Sequence, residues 1–149
     1  IAIGEGVWCP FNSQNTTWWS DAFPLLYLPA YCSFRMTDIW RSFVAQYIAS
    51  KNGWHILFHE PTVWQERNEH NLLSDFEDEI PGYLHNDRIR STLEAVPLAG
   101  GRRNISRDLY QCYSALVSLG VIGPEELPLL NCWISDLESL SRRKIETRA

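Results

Sequence analysis

The feature that most constrains the fold of this chain is an apolar pattern between residues 37 and 52. Large apolar side chains recur there at helical spacing, at Ile39, Trp40, Phe43, Val44, Tyr47 and Ile48. Thr37 or Asp38 can cap the start of such a helix, and Gly53 suits the left-handed residue that commonly follows a helix end. We therefore expect a helix over residues 37–52, with one face in the core.

Short apolar segments on both sides of this helix predict strands. Residues 54–58 directly follow Gly53 and favour a buried strand, which Pro61 limits in length. Residues 31–34 favour a brief strand, and residues 20–28 favour a short helix that Pro29 ends. This order of elements predicts part of an α/β layer over residues 1–62.

Beyond Pro61 the pattern is helical. We expect helices over residues 68–80, 88–96, 105–119 and 124–141. In the first of these, Leu72, Leu73, Phe76 and Ile80 share one face, and Pro81-Gly82 is expected to end the helix. The chain is therefore divided into an α/β unit, residues 1–62, and a helical extension, residues 63–149.

Charge and composition exclude several classes of function. The net charge is -5 without a basic stripe, so nucleic acid is not an expected partner. The sequence contains no apolar run of about 18 residues and no signal peptide, so membrane attachment would need a segment outside this chain. Because the chain starts at Ile1 without a methionine, we expect it to be a piece of a longer protein.

The cysteines and the glycosylation sequons leave the compartment open. The four cysteines lie far apart without a C-x-x-C pair, which disfavours a zinc ribbon or a thioredoxin-like site. Buried thiols are one interpretation, and a disulfide in a lumenal protein is the other. Sequons at Asn15 and Asn104 are compatible with the second.

An uncharged polar run, "PFNSQNTT" at residues 10–17, precedes Trp18 and Trp19. Asn, Ser and Thr side chains favour local turns, so a loop is expected there. Its amide and hydroxyl groups could instead bind a polar ligand beside the aromatic rings. Both interpretations stay open on composition alone.

Asp38 is the clearest candidate for chemistry. A carboxylate at a helix start is often only a cap or a partner of the helix dipole. It can also serve as a general base that faces a cleft. Arg35 and Arg41 flank it and could pair with it or with phosphate, while Trp40 could line a slot for a sugar.

Metal binding has weaker support in the sequence. His59, Glu60 and His70 carry groups that bind zinc or manganese, but their spacing differs from H-E-x-x-H. His59 is more often a structural residue in such a position. The acidic run at residues 75–79 fits the solvated face of a helix better than a cation site.

Two uncommon words in the sequence carry a resemblance to a known family. They are P-F-N-S-Q-N-T at residues 10–16 and F-R-x-x-D-I-W-R at residues 34–41, and the similarity extends over about residues 8–83. The chain resembles the STELLO family of glycosyltransferases. That resemblance implies a Golgi type II membrane protein with a lumenal GT-A-like domain, of which this chain would be the C-terminal half, followed by the helical extension.

The resemblance also implies roles for individual residues. Asp38 would match the acidic motif of GT-A enzymes, Arg41 its trailing arginine, and His59 a late histidine that completes the metal site. Contacts with the sugar would come from Asn12, Ser13, Gln14, Asn15, Trp18 and Trp40. The D-x-D motif that holds the metal is absent from these residues, so Mn²⁺ would be bound mainly by residues upstream of this chain, and the chain alone would be inactive.

The implied reaction is transfer of a sugar from a nucleotide-sugar donor to a hydroxyl of a glycan acceptor, with Asp38 as base. The alternative is a non-catalytic scaffold, derived from the same fold, that helps to assemble or traffic a polysaccharide synthase complex. Fold resemblance does not decide between them.

Overall fold

The structure is a computed structural model that describes residues 1–66, 69 and 71–146, with only the backbone described for 141–146. Within these residues the chain forms four α-helices: α1 (Thr37–Lys51), α2 (Leu72–Glu94), α3 (Ile105–Ser118) and α4 (Glu126–Glu146). Short 3-10 helices cover Ser20–Leu26, Phe34–Met36 and Arg102–Asn104. No helix in these described ranges is both long and apolar enough to cross a membrane.

Helix α1 confirms the helix predicted from the apolar pattern, and it is the centre of the molecule. It packs against α2 and α3, and α3 in turn packs against α4. All of its residues from Trp40 to Ala49 are buried, because neighbouring elements cover it on several sides. Gly53 follows with φ +68°, the left-handed conformation that glycine adopts without strain.

One hydrophobic core draws on residues from both sides of residue 62. Phe43 and Ile48 of α1 belong to the same buried cluster as Leu93 of α2, Leu116 of α3 and Leu130 of α4. The division into residues 1–62 and 63–149 stays a prediction, and this shared core joins the two parts.

The predicted α/β fold, the C-terminal half of a GT-A-like domain, is wrong. Residues 54–58 meet the start of the chain through a single antiparallel bridge between Ala2 and Leu57. Of residues 31–34, the first two form a bend and Phe34 begins a 3-10 helix. The physical reason is that two short paired segments without a third strand do not make a stable sheet, and Leu57 is 64% exposed where a buried strand was expected.

Helix α2 is longer than predicted and contains Pro81, which was expected to end it. The predicted helix at residues 88–96 is the C-terminal half of the same α2. Asn71 caps its start, since the side-chain oxygen accepts from Leu73 N at 3.0 Å. The predicted start at Asn68 lies outside the described residues, as does His70.

The apolar face expected on α2 is exposed rather than buried: Leu72, Leu73 and Phe76 all lie at the surface. The opposite face enters the core through Ile89 and Leu93. Gly82 lies so close to the 3-10 helix before α1 that an added Cβ would come 2.5 Å from Met36 Sδ. That close approach brings α2 beside the start of α1.

Two fully buried carboxylates hold loops against the helices. Glu126, at the start of α4, accepts hydrogen bonds from the Tyr27 hydroxyl and from the backbone N–H groups of Ala30 at 2.9 Å and Tyr31 at 2.8 Å. Asp108 of α3 accepts from the backbone N–H groups at residues 99 and 100. These bonds satisfy backbone donors in the loops before α1 and α3.

Candidate functional site

The polar loop at residues 12–16 lies across the first turn of α1. Ser13 donates its backbone N–H to Asp38 Oδ2 at 2.9 Å. Within the loop, Thr16 Oγ1 donates to the Asn12 carbonyl at 2.7 Å, and Gln14 N donates to Asn12 Oδ1 at 3.3 Å. The two sequence words that were singled out separately therefore form one local structure.

Arg41 supports this loop from below. Its side chain is only 2% exposed, and Nη2 donates to Ser13 Oγ at 2.5 Å. The guanidinium lies 4.9 Å from the Trp18 ring centroid and 5.6 Å from that of Phe11, within the range of cation–π contacts. The loop and the two rings are thus fixed to α1 by one cation.

The electrostatic state of Arg41 follows from this burial. Desolvation lowers the pKa of the guanidinium, and the neighbouring Tyr113 and Asp38 oppose that shift. Nε has no hydrogen-bond partner among the described residues, and within the same part of the chain Arg41 makes no ion pair. Asp38 is therefore the carboxylate that most offsets the buried charge.

A cleft of about 640 Å³ opens beside Asp38. Asn12, Ser13 and Gln14 line it on the loop side, and Tyr83 and Asn86 line it from α2. Arg35 also lines the cleft, but it forms an ion pair with Asp75. The cleft thus combines two half-buried carboxylates, Asp38 and Glu79 of α2, with neutral amide and hydroxyl groups.

Trp40 lies behind the cleft wall rather than in it. It is buried, and its indole N–H donates to Asn86 Oδ1 at 3.0 Å, which orients Asn86 at the cleft. Sequence analysis did not find Asn86 or Tyr83, because nothing in the sequence indicates which face of α2 turns towards Asp38.

The remaining predicted site residues lie elsewhere. Asn15, Trp18 and His59 line a separate cavity that shares no residue with the Asp38 cleft. His59 Nδ1 lies 2.6 Å from the Glu60 carbonyl oxygen. In the part of the chain that the structure describes, no three His, Cys, Asp or Glu side chains form a group that could hold a metal ion.

The structure thus brings together Asn12, Ser13, Gln14 and Asp38 in one cleft. It places Arg41 and Trp40 beneath them as supports. The polar loop contributes to both cavities. Its residues up to Gln14 line the Asp38 cleft, and its residues from Asn15 onwards line the separate cavity.

Comparison with known proteins gives the family. The model of the family described as STELLO glycosyltransferases matches residues 35–145, which is well over half of the chain. The match includes Asp38, Arg41, the helices α1, α2 and α3, and α4 except for its last residue. No curated protein and no solved structure matches. The chain therefore belongs to the STELLO glycosyltransferase family.

Proposed function

We propose that this chain provides the acceptor side of a glycosyltransferase active site, with Asp38 as the general base. The observation that carries the proposal is the Asp38 carboxylate, which the Ser13 N–H holds in the cleft beside the neutral polar groups of the loop. The reaction transfers a sugar from a nucleotide-sugar donor to a hydroxyl of a glycan.

The chemistry needs a base at the acceptor hydroxyl. As the acceptor oxygen forms a bond with the anomeric carbon, the bond from that carbon to the diphosphate oxygen breaks, and the electron pair leaves with the nucleoside diphosphate. The acceptor hydroxyl proton passes to Asp38. Asp38 Oδ2 is occupied by Ser13 N, so Oδ1 is the oxygen assigned to the proton.

The neutral groups of the cleft suit sugar hydroxyls. Asn12, Gln14 and Asn86 line the cleft beside Asp38, and each amide can both donate and accept. Ser13 is held on both its backbone and its hydroxyl. A loop fixed in this way does not need to reorganise when a sugar binds.

The described residues do not by themselves fit a metal site, because they contain no group of three suitable ligands. No step of the proposed reaction therefore passes through a metal. Binding of Mn²⁺ and of the donor diphosphate by residues outside this chain stays a prediction, and so does a role for His59.

The proposed location in the cell also rests on membership of the family. The proposal places the site in the Golgi lumen, with membrane attachment through a segment outside this chain. A polysaccharide synthase complex is the partner expected under the scaffold alternative.

The test is turnover of the full-length protein with Mn²⁺ and a panel of nucleotide sugars. The variant Asn12→Ala/Gln14→Ala removes two amides from the cleft and should raise KM for the acceptor by about tenfold, the equivalent of roughly 1.4 kcal/mol. Gln65→Ala, an exposed amide outside the cleft, is the matched control and should change nothing.

Unchanged acceptor KM in the double variant would contradict the assignment of the cleft. Inactivity of the wild-type protein towards every donor would contradict the enzymatic function and favour the scaffold.

A further inference from the structure

A second cavity lies along the other half of the polar loop, and the proposed reaction does not use it. Its volume is about 430 Å³, within the range of small-molecule sites. Its aromatic walls are Phe11, Trp18, Trp19, Trp54 and Phe58. We call it the aromatic cavity.

The walls of the aromatic cavity are positioned by contacts behind them. The Trp19 and Trp54 rings meet edge to face, with centroids 5.4 Å apart, and Trp18 carries the Arg41 guanidinium over its ring. Ala45 and Ala49, one turn apart on α1, also line the cavity. Because both are small, α1 leaves open a space that larger side chains would fill.

The lining of the aromatic cavity disfavours a strongly anionic ligand such as a diphosphate. No Asp, Glu, Lys or Arg contributes to it, whereas a diphosphate is normally held by cationic side chains. The donor nucleotide is therefore not the expected occupant.

Polar groups between the rings disfavour a purely apolar ligand as well. Asn15, Thr16 and His59 line the cavity among the aromatic side chains. Each has a hydrogen-bond partner within the protein and keeps further donor or acceptor capacity that a lipid chain could not use. In the described residues, the indole N–H groups of Trp18 and Trp19 make no hydrogen bond. A sugar ring offers apolar C–H faces for the rings and hydroxyl edges for these groups.

We propose that the aromatic cavity binds a neutral glycan, which serves as the acceptor chain for the Asp38 cleft. Gln14 of the cleft and Trp18 of the cavity are four residues apart, so their Cα atoms are at most about 14 Å apart. One glycan of a few sugar units can span that distance. The role as acceptor rests on the proposed function, whereas the binding of a neutral glycan does not.

The test measures binding and needs no turnover. Neutral trisaccharides of glucose, galactose, mannose and xylose are titrated into the full-length protein by isothermal titration calorimetry. At least one should bind, and Trp19→Ala should weaken its binding by about tenfold or more, as truncation of a buried aromatic contact does. Trp19 is 48% exposed, so the core should tolerate this change.

The matched control is Trp64→Ala. Trp64 is 84% exposed and does not line the aromatic cavity, so its removal should leave the affinity unchanged. If circular dichroism shows that Trp19→Ala does not fold, the second variant is Phe58→Ala, which removes another aromatic side chain of the lining.

Two results would overturn the proposal. One is the absence of binding by all four trisaccharides. The other is trisaccharide binding that neither Trp19→Ala nor Phe58→Ala weakens. In the wild-type protein, trisaccharide binding without turnover would count against the proposed reaction alone, and turnover without trisaccharide binding would count against the aromatic cavity alone.

Discussion

Ser13 and Asp38, 25 positions apart in the chain, are joined by a hydrogen bond of 2.9 Å from the Ser13 backbone N–H to the Asp38 carboxylate. The bond links the polar loop to the first turn of α1. It leaves the second carboxylate oxygen available to a ligand, as the proposed role of Asp38 as a base requires.

Arg41 holds the other side of Ser13, so its replacement should loosen the loop more than it destabilises the protein. Arg41→Met keeps an apolar side chain in the core while it removes the hydrogen bond to Ser13 and the cation–π contacts with Phe11 and Trp18. Amide hydrogen exchange at residues 13–16 should accelerate by roughly tenfold, about 1.4 kcal/mol of local stability, while α3 is unaffected. Unchanged exchange in the loop would show that Arg41 does not position it.

Glu126 should be far more important for stability than its neighbour Glu125. Glu126→Ala leaves the Tyr27 hydroxyl and two backbone N–H groups without their acceptor, and each buried unpaired donor costs about 1–3 kcal/mol. Urea denaturation should therefore show a loss of at least about 3 kcal/mol. Glu125→Ala, at an exposed position, should stay within about 0.5 kcal/mol of wild type, and equal losses in the two variants would contradict the structure.

Gly100 and Gly53 share a left-handed backbone, with φ of +66° and +68°, but differ in their surroundings. A Cβ at Gly53 meets nothing within 4 Å, whereas one at Gly100 would lie 2.8 Å from the Lys51 carbonyl oxygen. Gly53→Ala should cost about 1–2 kcal/mol from backbone strain alone. Thermal denaturation should show a larger loss for Gly100→Ala, and a smaller one would be inconsistent with the packing of that loop on α1.

The cysteines should differ in reactivity. Burial raises the pKa of Cys32 to about 12 and raises that of Cys112 with help from Asp108, while Cys132 is exposed. Since the thiolate is the nucleophile, iodoacetamide at pH 8 should label Cys132 well before these two. Labelling of Cys32 should accelerate as the pH rises towards its pKa. Equal rates at pH 8 for Cys32 and Cys132, measured by peptide mass spectrometry, would contradict these environments.

Sequence analysis predicted the helices well where the apolar pattern was strong. Helix α1 was predicted because Ile39, Phe43 and Tyr47 share the spacing of one helix face, and Gly53 marks its end. The α/β fold was wrong because apolar residues 54–58 resemble a strand whether or not a sheet exists to receive them. Whether such a segment becomes a strand depends on pairing partners far away in the chain, and the local pattern contains no information about those partners.

The residues of the candidate cleft could be anticipated only in part, because the position of some of them depends on packing between distant segments. Asn12, Ser13, Gln14 and Asp38 belong to the two uncommon words of the sequence, and the structure places them in one cleft. Arg41 and Trp40 were expected to meet the substrate but are buried, because a helix start has an inner face as well as an outer one. Asn86 was missed because its position depends on the packing of α2 against α1.

The central claim, that Asp38 is the base of a sugar transfer, is tested most directly by kcat for Asp38→Asn in the full-length protein. The amide oxygen can still accept from Ser13 N, so the loop should stay in place while the base is lost. We predict that kcat falls by about 10²–10⁴-fold with little change in acceptor KM, and that Asp136→Asn, an exposed carboxylate on α4 outside the cleft, matches wild type. A kcat for Asp38→Asn equal to that of wild type would contradict the claim.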